Sequence, residues 1–284
     1  MAARAAGHEV RVVPATLVKQ LGVGERRLKN DKKDARKLSE VSTRIDLPSV
    51  HIPSESSQKV REVCNMREAL VEARTKLVNT ARSYARMQVL EIPTGTAASL
   101  PKRMRLALGA SLPASVERVL QAIEALNVQI HAADKDVQAM AKASADCVRL
   151  MTAPGVGPVT ALRFAATVDE VGRFATAHQL ESYLGLVPSE SSTGLRQQRH
   201  GGITKAGSKK VRWALVQAVW SAKAHCKEDP MVRWSQRVAA RRGKKIATIA
   251  LARKLAGVLY AMLRDGKDYN PMHLTEQRWE RLAS

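Results

Sequence analysis

Residues 63–87 read VCNMREALVEARTKLVNTARSYARM, and residues 116–140 read VERVLQAIEALNVQIHAADKDVQAM. In both stretches apolar residues recur in alternating steps of three and four, which is the heptad pattern of helices that pack along a seam. The predicted seam positions are Val63, Met66, Leu70, Ala73, Leu77, Thr80, Tyr84 and Met87, followed by Val116, Val119, Ile123, Leu126, Ile130, Ala133, Val137 and Met140. A break containing proline and glycine at 92–113 separates the two runs. The pattern therefore predicts a helical coiled-coil arm over residues 51–150, folded as a hairpin. Such an arm serves either self-association or intramolecular spacing, and an exposed two-helix arm favours self-association into a homo-oligomer.

The chain before the arm predicts a small α/β piece. Residues 8–14 (HEVRVVP) have the pattern of one strand, and Asp31 to Glu40 that of the start of a helix. One strand cannot bury itself. It therefore joins a sheet elsewhere, or the chain begins within a domain. Pro48 and Pro53 mark a boundary and give a first region over 1–50.

The chain after the arm predicts a mainly helical domain over 151–284. Helical stretches are expected at 180–184, 209–223 and 244–264. The longest apolar run, IATIALARKLAGVLYAML, is interrupted by Arg253 and Lys254, so no membrane span is predicted. The overall expectation is a mainly α fold.

Charge indicates the class of partner. The chain has 47 Lys and Arg against 26 Asp and Glu, a formal net charge of +21. A field of this sign attracts polyanions, of which nucleic acid is the commonest, although ribosome assembly or an anionic membrane surface fits the charge alone. Three dispersed cysteines and the absence of an apolar leader in MAARAAGHEVRVV predict a cytoplasmic protein.

Two segments have features of phosphate binding. In APGVGPVTA (153–161), Gly155 and Gly157 permit a tight turn before a helix whose N–H groups favour anions, although a plain interhelical turn has the same pattern. The stretch 195–212, LRQQRHGGITKAGSKKVR, contains no acid, and its alternative interpretation is a solvated basic loop. Its cations are Arg196, Arg199, Lys205, Lys209, Lys210 and Arg212, and a second cluster follows at Arg237, Arg241, Arg242, Lys244 and Lys245.

Two further segments have features of phosphodiester chemistry. SSTG at 191–194 offers hydroxyls beside a glycine and a cationic loop, although its composition is also that of a polar turn. Asp31 and Asp34 are three residues apart and share one helix face, so they are candidate Mg²⁺ ligands, although helix N-terminal acids are commoner.

Together these segments resemble the insertion-sequence one-ten group of DEDD transposases, which are recombinases guided by a bridge RNA. The matching text is VRVVPATLVK, NDKKDARKLSE, APGVGPVTA, RFATAHQLESYLGLVPSE, STG, GGITKAGSKKVRWALVQAVW and RKLAGVLYAMLRDGKDY. The resemblance implies an RNase H-like (RuvC-like) domain with an Asp-Glu-Asp-Asp Mg²⁺ site, a coiled-coil arm, and a C-terminal domain whose serine bonds to DNA. DNA ends, target DNA and a guide RNA are the implied partners.

Carried over by position, Asp31 and Asp34 correspond to the last two acids of that metal site. Thr193 stands where the group has its serine, and Ser192 is one residue early. The first Asp and the Glu have no counterpart, because Met1–His8 contain no acid. The resemblance thus implies a truncated copy, a misassigned start or a decayed element. We expect a DNA transposase that cuts and exchanges strands; the alternative is a non-catalytic nucleic-acid-binding or assembly protein.

Overall fold

A computed structural model describes residues 6–7, 10–13, 31–42, 49–191 and 199–274. It separates into two units, Met1–Ser54 and Glu55–Ser284. The helices are α1 (Asp31–Ser42), α2 (Glu55–Met87), α3 (Leu100–Leu108), α4 (Ala114–Ala143), α5 (Ala145–Leu150), α6 (Pro158–Val168), α7 (Ala177–Tyr183), α8 (Lys209–His225), α9 (Pro230–Arg242) and α10 (Lys244–Asp265). Strands β1 (Pro188–Ser191) and β2 (Arg199–Ile203) form a hairpin, and 3-10 turns lie at Gly109–Ser111, Val171–Arg173 and Pro271–Leu274. The mainly α prediction is confirmed.

Within its described residues, the first unit contains α1 and one antiparallel bridge. The Val50 amide donates to the Val12 carbonyl at 2.8 Å. Of the strand predicted over 8–14, the described residues 10–13 thus contain one bridging position. Helix α1 begins at Asp31, where the sequence predicted a helix start. The RuvC-like fold of this piece stays a prediction.

Helices α2 and α4 pack against each other as the two limbs of the predicted hairpin. The Arg67 guanidinium donates to Asp134 Oδ1 at 2.5 Å. Two turns further along α2, Arg74 donates to Asn127 Oδ1 at 3.0 Å. At the tip, Arg105 of α3 pairs with Glu117 and Glu124 of α4 at 2.7 and 2.5 Å. The interior of this end is apolar and consists of Val78, Ala81, Ala85, Leu100, Met104, Leu108, Val116, Leu120 and Ile123.

The predicted seam is partly right for α4, which also buries Leu120 and Ala141, and is displaced by one residue on α2. Val116, Ile123, Ile130 and Val137 are buried as predicted. In α2 four buried residues lie one residue beyond predicted positions: Cys64, Val78, Ala81 and Ala85. Ser57 is buried before the predicted seam begins, and Met66 and Met87 are exposed. The buried face of α2 is displaced because Arg67 and Arg74 contact residues of α4. A hydrophobic pattern, in contrast, places arginine on the solvent-facing side.

The C-terminal helices enclose the larger core, with α10 packed against α5, α7, α8 and α9. Leu251, Leu255, Leu259 and Tyr260 of α10 are buried, and the Tyr260 hydroxyl donates to the Phe174 carbonyl at 2.6 Å. Among the described residues, α10 alone is long and apolar enough to span a membrane; half of its apolar window is buried inside the protein, as in a core helix. The base of the arm shares this core through Cys64, Val137 and Ala141.

The sequence predicted three of the C-terminal helices but did not predict the β-hairpin formed by β1 and β2. Helices were expected at 180–184, 209–223 and 244–264, and α7, α8 and α10 lie there. The stretch 195–208 was interpreted as a basic loop, but its residues 199–203 form β2. Strands β1 and β2 pair antiparallel, with Pro188 opposite Ile203 and Ser191 opposite Arg199. Two consecutive glycines in β2 lower its strand propensity, so the pattern gave no signal.

Candidate nucleic-acid interface

A turn at 204–208, which we call the basic turn, is fastened to the end of α7 through main-chain atoms. The Lys205 amide donates to the Gly185 carbonyl at 3.1 Å, and the Thr204 amide donates to the Val187 carbonyl at 2.9 Å. Gly185 and Gly207 both have positive φ, and a Cβ on either would overlap backbone atoms of the facing segment. Glycine is therefore required at both positions for the two segments to touch.

Arg212 holds the basic turn from the side of α8. Its guanidinium donates to the carbonyls of Leu184 at 3.0 Å, Gly207 at 3.3 Å, and Ala206. Burial lowers the pKa of Arg212 from its usual value. These contacts give Arg212 a positioning role, and its contact with a phosphate stays a prediction.

The lysines of this region differ in their surroundings. Lys205 and Lys209 are exposed, at the turn and at the first residue of α8. Lys210 instead lies 2.8 Å from Glu68 Oε2 and donates to Asn65 Oδ1 at 2.9 Å. Among the described residues, Lys205 and Lys209 are thus exposed with no acidic partner, whereas Lys210, also exposed, is paired with Glu68.

Glu68 also accepts from a buried arginine that sequence analysis missed. Arg163 of α6 is 7% exposed and donates to Glu68 Oε2 at 3.0 Å, to the Cys64 carbonyl at 2.8 Å and to Asn65 Oδ1 at 3.3 Å. The cluster of Arg163, Glu68, Asn65 and Lys210 joins the base of the arm to the start of α8. A single arginine inside an apolar run gave no sign of this role in the sequence.

The glycines of the APGVG turn have different surroundings. Gly155 has φ +75, and a Cβ there would overlap the backbone of Ala218 and Ala222 in α8. Gly157 precedes Pro158 at the start of α6, and a Cβ there would meet nothing within 4 Å. Gly155 is accounted for by close packing, and Gly157 alone leaves space for a ligand.

The remaining predicted site residues are placed only in part. Ser192, Thr193 and Arg196 lie outside the described residues, in the segment that follows β1 in the sequence. Arg199 is the first residue of β2, opposite Ser191. Asp31 and Asp34 lie in the first turn of α1, where only the backbone is described, and the described residues contain no group of three or more metal-binding side chains.

The cationic surface extends beyond the predicted residues. Residues 209–264 contain fourteen Lys and Arg and two acids, Glu228 and Asp229. Arg241, Arg242, Lys244 and Lys245 are exposed where α9 gives way to α10. Two exposed tryptophans on α8, Trp213 and Trp220, were also missed, because the sequence pattern assigns large aromatic residues to the core.

Comparisons with known proteins identify the family. The family model described as "Transposase IS116/IS110/IS902 family" matches residues 147–234, and a DEDD transposase model of the IS110 group matches residues 1–87. A "Probable family 20 transposase" from Pseudomonas aeruginosa is 31% identical over 277 residues, covering 94% of this chain and 81% of that relative. The chain belongs to the IS116/IS110/IS902 family of transposases. The resemblance to this transposase family, stated from the motifs, is confirmed; the guide RNA and the truncation stay predictions.

Other relatives of this transposase come from other bacteria. The "Transposase for insertion sequence element IS1111A" of Coxiella burnetii is 29% identical over 250 residues, covering 85% of this chain and 68% of the relative. The "Transposase for insertion sequence element IS1328" of Yersinia enterocolitica is 26% identical over 267 residues, covering 92% and 78%. The protein is thus an insertion-sequence DNA transposase. The predicted roles of Asp31, Asp34, Thr193 and Ser192, and the predicted lack of two metal-site acids, stay predictions.

Proposed function

We propose that this transposase breaks and rejoins DNA through a hydroxyl of the segment between β1 and β2, with Thr193 as the nucleophile and Ser192 as the alternative. The observation that carries the proposal is the fixed base of the hairpin. The same main-chain contacts that fasten the basic turn at 204–208 anchor the ends of the two strands. The basic turn at this base presents Lys205, an exposed cation that can hold a phosphate.

The proposed cleavage step is a transesterification. The Thr193 Oγ1 atom bonds to phosphorus, the bond from phosphorus to one deoxyribose oxygen breaks, and the hydroxyl proton passes to that leaving oxygen. Rejoining reverses the step when the hydroxyl of another strand attacks and releases Thr193. Lys205 and Lys209 supply positive charge that stabilises the pentavalent phosphorus.

We also propose that a divalent metal binds at the start of α1. Asp31 and Asp34 are spaced i, i+3 in one helical turn, so both lie on one face. Carboxylate oxygens are the ligands that Mg²⁺ prefers, and Mg²⁺ is commonly held by one or two carboxylates together with substrate phosphates. When bound, the ion supplies charge that polarises the phosphate. Asp31 and Asp34 would hold it.

The proposed partners follow from charge and from exposed apolar side chains. The acid-poor stretch 209–264 provides phosphate contacts for element and target DNA and for a guide RNA. The arm has large apolar side chains at the surface, which support self-association into a homo-oligomer: Met66, Met87, Leu106 and Val128. Three free cysteines fit a reducing cytoplasm.

A covalent-adduct assay tests the function. Full-length protein is mixed with end-labelled element DNA, its flanking non-coding RNA and Mg²⁺, and is then run on a denaturing gel. A slow band is expected that disappears in Thr193→Ala and persists in Ser189→Ala, a hydroxyl of β1 that donates to the Gly202 carbonyl. Loss in Ser192→Ala alone would move the nucleophile to Ser192. Native binding without any adduct would leave a non-catalytic nucleic-acid-binding protein.

A second set of variants tests the proposed metal site. Asp31→Asn and Asp34→Asn should each reduce adduct formation and weaken its dependence on Mg²⁺ concentration. Asp136→Asn, an exposed carboxylate on α4, is the matched control. Equal adduct yields from all three variants would contradict the metal role.

A further inference from the structure

Helix α8 exposes two tryptophans that folding does not explain. Trp213 is 55% exposed and Trp220 is 52% exposed, in a chain that has four tryptophans and only 4% aromatic residues. Leaving a large apolar ring in water sacrifices the free energy that its burial would provide. Two such rings on one helix therefore indicate a surface that a partner covers.

The two rings form one face with exposed polar neighbours. Trp213 and Trp220 are seven residues apart, so they point the same way and are separated by about 10 Å along the helix. Lys209 and Gln217 are exposed at the intervening helical spacing. We call these four residues the tryptophan face: Lys209, Trp213, Gln217 and Trp220.

Positive charge surrounds the tryptophan face. The Lys223 ammonium lies 5.3 Å from the centroid of the Trp220 ring and donates to Thr248 Oγ1 at 2.8 Å, which fixes it beside the ring. Thr248 in turn donates to the carbonyl of Lys244, where the exposed pair Lys244 and Lys245 begins α10. Helix α8 itself contains no acidic residue.

We propose that the tryptophan face binds unpaired bases of single-stranded DNA. Aromatic rings stack on bases of any sequence, and adjacent cations contact the phosphates that link them. In a duplex the base faces are already stacked on one another, so an exposed ring gains contact only where strands have separated. The separation of the rings, about 10 Å, matches roughly three base steps of 3.4 Å.

A second copy of this chain is a poorer occupant of the tryptophan face. Self-docking would bring Lys209, Lys223 and their copies together without an intervening acid on α8, and like charges repel. The inference rests on the proposed function, because strand separation at element ends is what would present unpaired DNA bases to a transposase.

The test compares aromatic and aliphatic replacements in the full chain. Trp213→Leu with Trp220→Leu keeps apolar bulk and removes the rings; Trp213→Phe with Trp220→Phe keeps rings. Affinity is measured by fluorescence anisotropy at one salt concentration for a labelled duplex and for the same duplex with an unpaired thymine stretch. The leucine variant should lose affinity about tenfold or more for the DNA with the unpaired thymine stretch and lose little for the duplex. The phenylalanine variant should retain most of the affinity for both.

Four results would overturn the proposal. Equal affinities of the leucine and phenylalanine pairs would exclude stacking, and an equal loss on both DNAs would exclude a preference for unpaired bases. A larger loss on single-stranded RNA than on single-stranded DNA would assign the face to RNA. A change of oligomeric state in sedimentation would assign it to a second copy. Failure of the proposed function is separate, since the adduct assay would then give no band while the parent chain still binds both DNAs.

Discussion

The guanidinium of Arg163 and the carboxylate of Glu68 form a largely buried ion pair, 3.0 Å between Nη2 and Oε2, that joins α6 to α2. The same carboxylate oxygen lies 2.8 Å from Lys210 Nζ. One acid therefore balances two cations from different helices at the base of the arm. Removing its charge leaves the buried guanidinium with only neutral acceptors.

Glu68→Gln should destabilise the protein by about 2–3 kcal/mol, because breaking a buried pair leaves an uncompensated charge. Urea unfolding followed by circular dichroism measures the loss. Glu124→Gln, which weakens a more exposed pair with Arg105 at the arm tip, should cost less than about 1 kcal/mol. Equal losses would mean that the Arg163 pair is no more important than a surface pair.

The two glycines of the APGVG turn should respond differently to alanine. In Gly155→Ala the new methyl group overlaps the backbone of α8 at a positive φ, so the thermal midpoint should fall by several degrees, corresponding to more than about 2 kcal/mol. Gly157→Ala meets open space and should leave the midpoint almost unchanged. If Gly157→Ala lowers DNA affinity at an unchanged midpoint, the start of α6 contacts the ligand. Similar midpoints for both variants would contradict the packing role of Gly155.

Lys205 and Lys209 should set the salt dependence of DNA binding. Their joint replacement by glutamine removes two phosphate contacts, so the slope of log K against log salt should flatten by about 2. The matched control is Lys76→Gln with Lys102→Gln, two exposed lysines on the arm. Anisotropy titrations over a salt series measure both slopes. An unchanged slope in the Lys205 and Lys209 variant would remove the basic turn from the interface.

Lys254 should make stability depend on pH. Its ammonium lies 3.5 Å from the centroid of the Trp234 ring, and burial together with the charge of Arg237 lowers its pKa to about 7. Since the unfolded lysine keeps its usual, higher pKa, the unfolded chain binds more protons above pH 7. Lys254 thus lowers the free energy of unfolding by its full amount below about pH 7. This destabilisation disappears as the pH approaches the usual pKa of lysine.

Lys254→Met should therefore be more stable than the parent at pH 7, and its advantage should shrink toward pH 10 at on the order of 1 kcal/mol per pH unit. Urea midpoints of both proteins across that range give the difference, which cancels the titration of the other groups. An advantage that stays constant with pH would contradict the lowered pKa.

Sequence periodicity predicted the helices well where apolar residues alone fill the interface. Four of the six buried residues of α4 were predicted: Val116, Ile123, Ile130 and Val137. Periodicity failed on α2, since Arg67 and Arg74 reach Asp134 and Asn127 across the interface and small residues fill the space between. Whether an arginine points into such an interface depends on the residue that faces it on the other helix. The sequence of one helix alone does not contain that information.

The candidate site shows the same division. Its segments were recognised from cations, glycines and motif order, but their roles depend on contacts between distant parts of the chain. The sequence predicted that Arg212 and Gly155 bind a ligand. In the structure Arg212 donates to main-chain carbonyls, and Gly155 packs against the main chain of α8. Arg163 and the exposed tryptophans gave no signal, because burial and exposure of a single residue are set by tertiary packing.

The main-chain attachment of the basic turn has a consequence for engineering. Because Gly185, Val187, Thr204 and Lys205 join through amides and carbonyls, the joint is insensitive to the side chains mounted between them. Residues 188–203 can therefore be treated as an interchangeable cassette, and chimaeras that exchange it between relatives should fold if both flanking glycines are kept.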